Sequence, residues 1–584
     1  MILIPGFAAL PLLVRRLLRG AMAALLVGVV VACGGGGTTP VTGVQSLRPL
    51  SADFTTRKAV NYSPFRTFNR DTEVITKAMI KEDMDLLVAG GFNLIRLFDS
   101  SDMVARQTLE VIRDNSLDIK VYLGAYLAGY ADSSSSANDA EVARTIALAN
   151  QFSAIVVAVS VGNEMLLFDF NKIDRPQTLA DYITRVRNAI NQPVTTDDNY
   201  HWWRTADPVI TNAVDFVAMH TYTEQDTIYA EGLWDWQQRD VAPEQRAAAM
   251  MDAAIAATKN QYAAVRRTLD EMGLGHMPIV IGETGWHAVN TGNAGGNLPF
   301  RASAANQKMY YDRLRAWEAA ERTTTGPRTI FYFEAFDEPW KLDDNFWGLF
   351  TVERKARCSI QALKPPSASW VYDTSQPCDE ASAVYFVELV VNEAITASRF
   401  TLFADTVTPG EAVLPAGQWN AFGNNIGGVT AAVPLVTSTA GPGDGPLSLE
   451  ITPQPANYGW GVLRNPADGA TSNLSAFAGG TLTAWIRTNG YPGKIQIGIN
   501  SDTEDRKGAQ AVLTLSPGDY SYCNTNAWCQ VTIPIAAFTA ANPKLDLRAV
   551  TLPFVIRDIF SETGKPLGTT GLPKVYVDNV YWTK

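Results

Sequence analysis

Between residues 55 and 357, short β-branched runs alternate with longer stretches in which apolar residues return at helical spacing. Eight runs read as strands: 59–62, 94–98, 120–124, 155–161, 194–196, 216–220, 279–281 and 329–333. Between the first two, Ile80, Met84, Leu87 and Val88 fall at helical spacing, and Gly90-Gly91 supplies a helix stop. Eight strand–helix units in this span predict an α/β fold, the (β/α)8 TIM barrel, with some long loops. An open doubly wound sheet is the rival, but no Gly-rich dinucleotide loop follows the first strand.

Around Lys364-Pro365-Pro366-Ser367 the pattern changes, and from about residue 382 helical periodicity fades. Alternating runs such as 481–486 and 575–582 sit between Gly, Pro, Asn and Asp turns, which predicts an all-β sandwich. At the other end, Arg15, Arg16 and Arg19 precede an apolar run over 21–32 that is too short for an ordinary transmembrane span. It ends at Val31-Ala32-Cys33-Gly34, which resembles a bacterial lipobox, with Cys33 the lipidated residue. A plain secretory signal is the alternative, and both predict export, as a cell-envelope lipoprotein or a secreted protein. The expected organisation is a signal segment over 1–33, a Gly-, Thr-, Ser- and Pro-rich tether over 34–54, a barrel over 55–363, a linker over 364–381 and a sandwich over 382–584.

Composition narrows the function. The net charge of −11 and the lack of a basic patch exclude a nucleic-acid binder by charge. The 14 Trp are a surplus that suits the flat faces of sugars, although core packing competes for each one. Of five Cys, removing Cys33 leaves Cys358, Cys378, Cys523 and Cys529. Three pairings exist, of which Cys358–Cys378 and Cys523–Cys529 are the most local. The first would staple the boundary between the domains. No Cys or His cluster has zinc spacing.

Two segments carry chemistry. Val161-Gly162-Asn163-Glu164 ends the fourth strand, and Ile281-Gly282-Glu283-Thr284-Gly285-Trp286 ends the seventh. Carboxylates at two strand ends of one barrel point into one mouth. An acid and a nucleophile about 5–5.5 Å apart make a retaining glycosidase pair. Glu164 is expected as acid/base and Glu283 as nucleophile, and Asn163 as a hydrogen-bond partner of the sugar's 2-hydroxyl. No cofactor is needed for this chemistry.

Three further segments sharpen the reading. They are Asn61-Tyr62-Ser63-Pro64, Gly282-Glu283-Thr284-Gly285-Trp286, and Phe333-Glu334-Ala335-Phe336-Asp337-Glu338-Pro339-Trp340-Lys341. Together they resemble glycoside hydrolase family 17, the β-1,3-glucanases, over about half the chain. The resemblance implies substrate contacts by Tyr62, Arg96, Asp99, Tyr222, Trp286, Glu338 and Lys341. It implies β-glucan as the partner; a monomer is expected, and the lipobox at Cys33 predicts a membrane contact through a lipid anchor. Where that family commonly has Pro, this chain has His287. The C-terminal part resembles jelly-roll carbohydrate-binding modules, with Asp578 in the position of a structural Ca²⁺ ligand and Tyr458, Trp460, Trp485, Tyr491 and Trp528 as candidate stacking residues.

Several residues read two ways. Glu334, Asp337 and Glu338 serve either the sugar or an ion pair with Lys341. His220 reads as a hydrogen-bonded wall residue, and Asp197-Asp198 as sugar ligands or a helix cap. Trp202, Trp203 and Trp234 are candidate acceptor walls, and Trp236 a sugar platform or loop packing. A glucan transglycosylase and a non-catalytic glycan-binding lipoprotein remain the alternatives to a hydrolase.

Overall fold

A computed structural model describes residues 46–584, apart from 130–135, 168–170, 230, 291–299, 366–369, 426–431, 435–444, 446, 454–457, 467–468, 565 and 567–570. The signal segment with Cys33, and residues 34–45 of the tether, lie outside the described residues.

All eight predicted runs form strands: β1 (Lys58–Asn61), β2 (Phe92–Leu97), β3 (Lys120–Ala125), β4 (Val156–Asn163), β5 (Val194–Asn199), β6 (Val217–His220), β7 (Ile279–Thr284) and β8 (Ile330–Tyr332). Neighbours pair in chain order and parallel, and β8 closes on β1. Strands β4, β5 and β7 run two or three residues past their apolar patterns. Every residue of β5 is buried, including Asp197 and Asp198. Polar side chains can continue a buried ladder where they satisfy one another at the barrel mouth.

Phe54 plugs the bottom of the barrel. Its ring lies 5.6 Å from Tyr122 and 5.7 Å from both Phe216 and Phe331. The Arg48 backbone N–H also binds Asp215. Residues 46–54 are thus part of the barrel, not tether. On the helix Lys77–Ala89, Ile80, Met84 and Leu87 are buried, whereas Val88 is exposed beside the stripe.

Of the segment 364–381, expected as a linker, the described part from Trp370 onward is tied to the barrel. Trp370 is buried against Phe350, 5.3 Å between ring centres, and Cys358–Cys378 ties the segment down. Phe386 beyond it is fully buried against Trp236 and Phe300. The disulfide therefore lies inside the barrel's C-terminal extension, and the exposed connection begins at Val387. Pro and Ser signalled missing regular structure, and burial does not require regular structure.

The sandwich follows. One sheet runs in the order Gly417–Phe422, Gly459–Pro466, Val550–Ile559, Gln496–Ser501, Ala509–Thr514, all antiparallel. The other centres on Val575–Thr583, paired with Arg399–Phe403, Leu447–Pro453 and Thr481–Arg487. Trp460 and Tyr491, two of the candidate stacking residues, are buried between the sheets and joined by an indole N–H to phenol bond of 2.8 Å. They are core. Tyr458 is exposed, and Trp485 and Trp528 are half-buried. Cys523 and Cys529 are bonded. Asp578 is buried and accepts from the Asn579 N–H, and among the described residues no cluster of three metal-ligating side chains includes it.

Candidate active site

The C-terminal ends of the strands surround a cleft of about 750 Å³. Glu164 and Glu283 both line it, with Tyr62, Asp99, Asn163, Tyr222, Glu338 and Lys341. The barrel brings these predicted residues together as expected of strand-end positions.

Glu283 is held in three directions. Arg96 Nη1 donates to Oε1 at 2.5 Å, Tyr222 Oη donates to Oε2 at 2.6 Å, and His220 Nδ1 lies 3.6 Å away. Burial alone would push this carboxyl up, but His220 and Arg96 outweigh it and hold Glu283 below the usual carboxylate range. It is therefore ionised at neutral pH. Arg96 is not a cleft wall. It is buried behind the nucleophile position, between Glu283, Asn163 and Asp197. Its Nη2 donates to Asn163 Oδ1 at 2.6 Å, which leaves the Asn163 amide NH2 for the cleft.

Glu164 follows Gly162, whose φ of 84° favours glycine, and itself has φ of 52°. This left-handed turn at the end of β4 aims Glu164 across the barrel. Its N–H binds Asp197 O at 2.9 Å, and His220 Nδ1 lies 3.0 Å from Oε1. His220 thus bridges the two glutamates, and their facing atoms and the imidazole nitrogen lie within 4.8 Å of one another. That spacing would suit a metal ion. His220 itself brings positive charge to both carboxylates. Burial disfavours its cation, but Glu283, Asp197 and Glu164 overcome this and push it up to about 10.

Asp197 completes the layer below. It pairs with Arg96 at 3.4 Å and accepts from Tyr122 Oη at 2.6 Å, and His220 Nε2 lies 3.5 Å away. Asp198 accepts from the Leu166 and Asn199 N–H groups, and burial, with Glu164 adding to it, pushes its carboxyl up to about 7. Neither aspartate lines the cleft. Gly282 is required by this layer, because a Cβ there would collide with the Asp197 carboxylate.

The β8 end supplies a cation. Lys341 Nζ lies 2.7 Å from Glu338 and 3.9 Å from Glu334, over the Phe333 ring. Burial and the neighbouring Glu338 push Glu334 well above the carboxylate range. Asp337 instead pairs with Arg357 at 2.6 Å. Tyr62 presents its ring, since its hydroxyl donates to Asp83 at 3.0 Å.

Some expected contacts are elsewhere. Trp286 is fully buried, donates to Arg301 O, and packs on Tyr310 and Trp234. Trp203, Trp234 and Trp236 are also core, and Trp202 is packed partly against it. None of the five lines the cleft. Large indoles at strand ends found apolar partners between the helices and left the wall to Phe65, Phe98, Tyr126, Phe333, Trp340 and Trp347. Sequence reasoning missed these, along with Asn199, Gln225, Asp226 and Asp344. Trp340 and Phe333 stood within the strand-8 segment, so that signal was available.

Residues 59–354 match the family model of the BtgE/BtgC glycoside hydrolase domain. The chain belongs to this glycoside hydrolase family. A second model, carbohydrate binding domain 30, matches residues 411–584. A glucan 1,3-beta-glucosidase of Arthroderma benhamiae is 26% identical over 238 residues, 36% of this chain and 64% of that protein. A probable glucan endo-1,3-beta-glucosidase of Aspergillus flavus is 26% identical over 298 residues, 46% of this chain and 38% of that protein. The chain thus spans less than two thirds of either relative's length. An endo-laminarinase from Formosa shares the fold, with a TM-score of 0.50 and 24% identity over 58% of this chain and 97% of its own.

Proposed function

We propose that this chain is a retaining glycoside hydrolase that cleaves β-1,3-glucan of the laminarin type. The observation that carries the reading is the pair Glu164 and Glu283, with side-chain oxygens within 4.8 Å, one of them held ionised by Arg96, Tyr222 and His220. An inverting pair needs about 6.5–9.5 Å, to leave room for a water. Glu283 attacks the anomeric carbon and forms the glycosyl-enzyme bond. Glu164 gives its proton to the departing oxygen, then takes one from the incoming water as that bond breaks. The Asn163 NH2 faces the sugar with its orientation fixed by Arg96. Lys341 brings positive charge to the same wall. The names of the relatives support β-1,3-glucan as the substrate class. In the sandwich, half-buried Trp485 and Trp528 offer apolar faces for a glucan chain, and the similarity to carbohydrate binding domain 30 supports that use. The signal segment and Cys33 support an exported, lipid-anchored setting.

The test supplies linear β-1,3-glucan and, separately, β-1,4-glucan, and follows product size. Shorter β-1,3 products are expected. With Glu283→Gln, turnover should fall at least about a thousandfold. Products longer than a defined oligosaccharide substrate would reassign the enzyme to glucan transfer. Binding without cleavage of either glucan would refute the hydrolase reading and favour a binding protein.

A further inference from the structure

His287, the departure at the end of the strand-7 segment, joins three strand-end loops at one imidazole. It is buried four residues past Glu283. Its backbone N–H donates to Glu224 Oε2 at 2.8 Å, and its Nδ1 lies 3.0 Å from the same oxygen. Glu224 comes from the helix Thr223–Tyr229 after β6. On the other side, Nε2 lies 3.6 Å from Asp344 Oδ1, in the loop after β8. The ring itself rests on Trp347, 3.7 Å between centres.

Trp347 and Asp344 both line the cleft, and Trp347 Nε1 donates to Asp344 at 3.2 Å. Trp347 packs edge-on against Tyr222, at 5.2 Å, and the Tyr222 hydroxyl holds Glu283. An unbroken set of contacts therefore runs from His287 through Trp347 and Tyr222 to the nucleophile position.

We propose that His287 is a positioning residue that holds Trp347 and Asp344 in place as a substrate-gripping wall beside Glu283. It rests on the glycosidase reading above. The charged groups that face it are Glu224 on one side and Asp344 on the other, and Lys341 acts on Asp344 in turn. Burial opposes the cation, but Glu224 and Asp344 prevail and push His287 up to about 9, so the strut is charged at neutral pH. A neutral ring of the same shape would keep the stack and lose both charged ends.

The test uses the full chain and β-1,3-glucan oligosaccharides of defined length. His287→Phe keeps a ring on Trp347 and removes the two imidazole contacts with Glu224 and Asp344, while the backbone N–H bond to Glu224 stays. Asp344→Asn leaves the buried core untouched, because the Asp344 side chain is 57% exposed. Each should raise KM about tenfold while kcat stays within about threefold, the signature of lost uniform binding. The double variant should be little worse than the worse single one, as for residues acting through one contact. Unchanged KM with only a lower melting temperature would overturn the proposal, leaving His287 a core residue. Should His287→Phe fail to fold, unchanged KM in Asp344→Asn alone would overturn it. If the wild-type chain binds the oligosaccharide without cleaving it, the glycosidase reading fails. The same tenfold loss, read as dissociation constants by calorimetry, then decides the fate of His287 separately.

Discussion

At the residue scale, the site is a layer of opposite charges built beneath two glutamates. Arg96 and His220 are cations, and Asp197 and Glu283 face them. Removing one member of such a set leaves a buried charge unpaired, which costs more than the pair itself contributes. Gly282 shows how closely the layer is fitted. Gly282→Ala places a methyl group against the Asp197 carboxylate. Overpacking of this kind should cost about 1–3 kcal/mol in urea unfolding. Turnover should fall as well, because Asp197 holds Arg96 and His220. A variant with wild-type stability and rate would contradict the packing described for this strand end.

At the element scale, loops and helices outside the barrel fix the cleft walls. Asp83, on the helix Lys77–Ala89, is fully buried and gathers Tyr62, Arg66 and Arg354. It anchors the loop after β1 to the loop after β8. Asp83→Ala would strand Arg354, itself buried, and release the Tyr62 hydroxyl. The expected loss is about 3–5 kcal/mol, measured by chemical denaturation, with weaker oligosaccharide binding in whatever folds. The barrel's C-terminal extension depends on Cys358–Cys378, which closes a loop with a sequence separation of 20. Replacing both cysteines by serine should lower stability by about 3 kcal/mol. An unchanged denaturation midpoint would mean that Trp370 and Phe386 suffice to hold the extension.

At the scale of the whole molecule, stability should depend on pH through two buried cations. His220 and His287 are pushed up to about 10 and about 9. A group with a raised folded pKa contributes stability that is complete below its unfolded value, about 6.5 for histidine. That stability is lost as pH rises through the folded value. The melting temperature should therefore fall between about pH 6.5 and 10, and His287→Phe should flatten part of the slope. A melting temperature independent of pH over this range would show that neither histidine is held as a cation. The opposite limb belongs to Glu283 and Asp197, both held low, whose contribution is lost under acid conditions.

The sequence by itself determined the barrel, the sandwich and the positions of Glu164 and Glu283. Apolar periodicity reports burial directly, and a carboxylate that follows a β-branched run marks a strand's C-terminal end. Asn163 came with the acid position, and the resemblance to family 17 implied Tyr62, Asp99, Tyr222, Glu338 and Lys341, which the structure brings to the mouth. Tertiary structure alone decided what each polar residue faces. His220 bridges two glutamates because β4, β6 and β7 close into one ring, a relation without local signal. Asp197 and Asp198, which read as sugar ligands or a helix cap, became the buried floor. Trp286, Trp203 and Trp234 looked like sugar platforms and became core, because an indole serves either use and only the available neighbours choose. His287 was legible only as a departure, and its role appeared once three distant loops met around its ring. Periodicity records whether a side chain is buried, whereas pairing across the barrel mouth depends on closure, which no stretch of sequence contains.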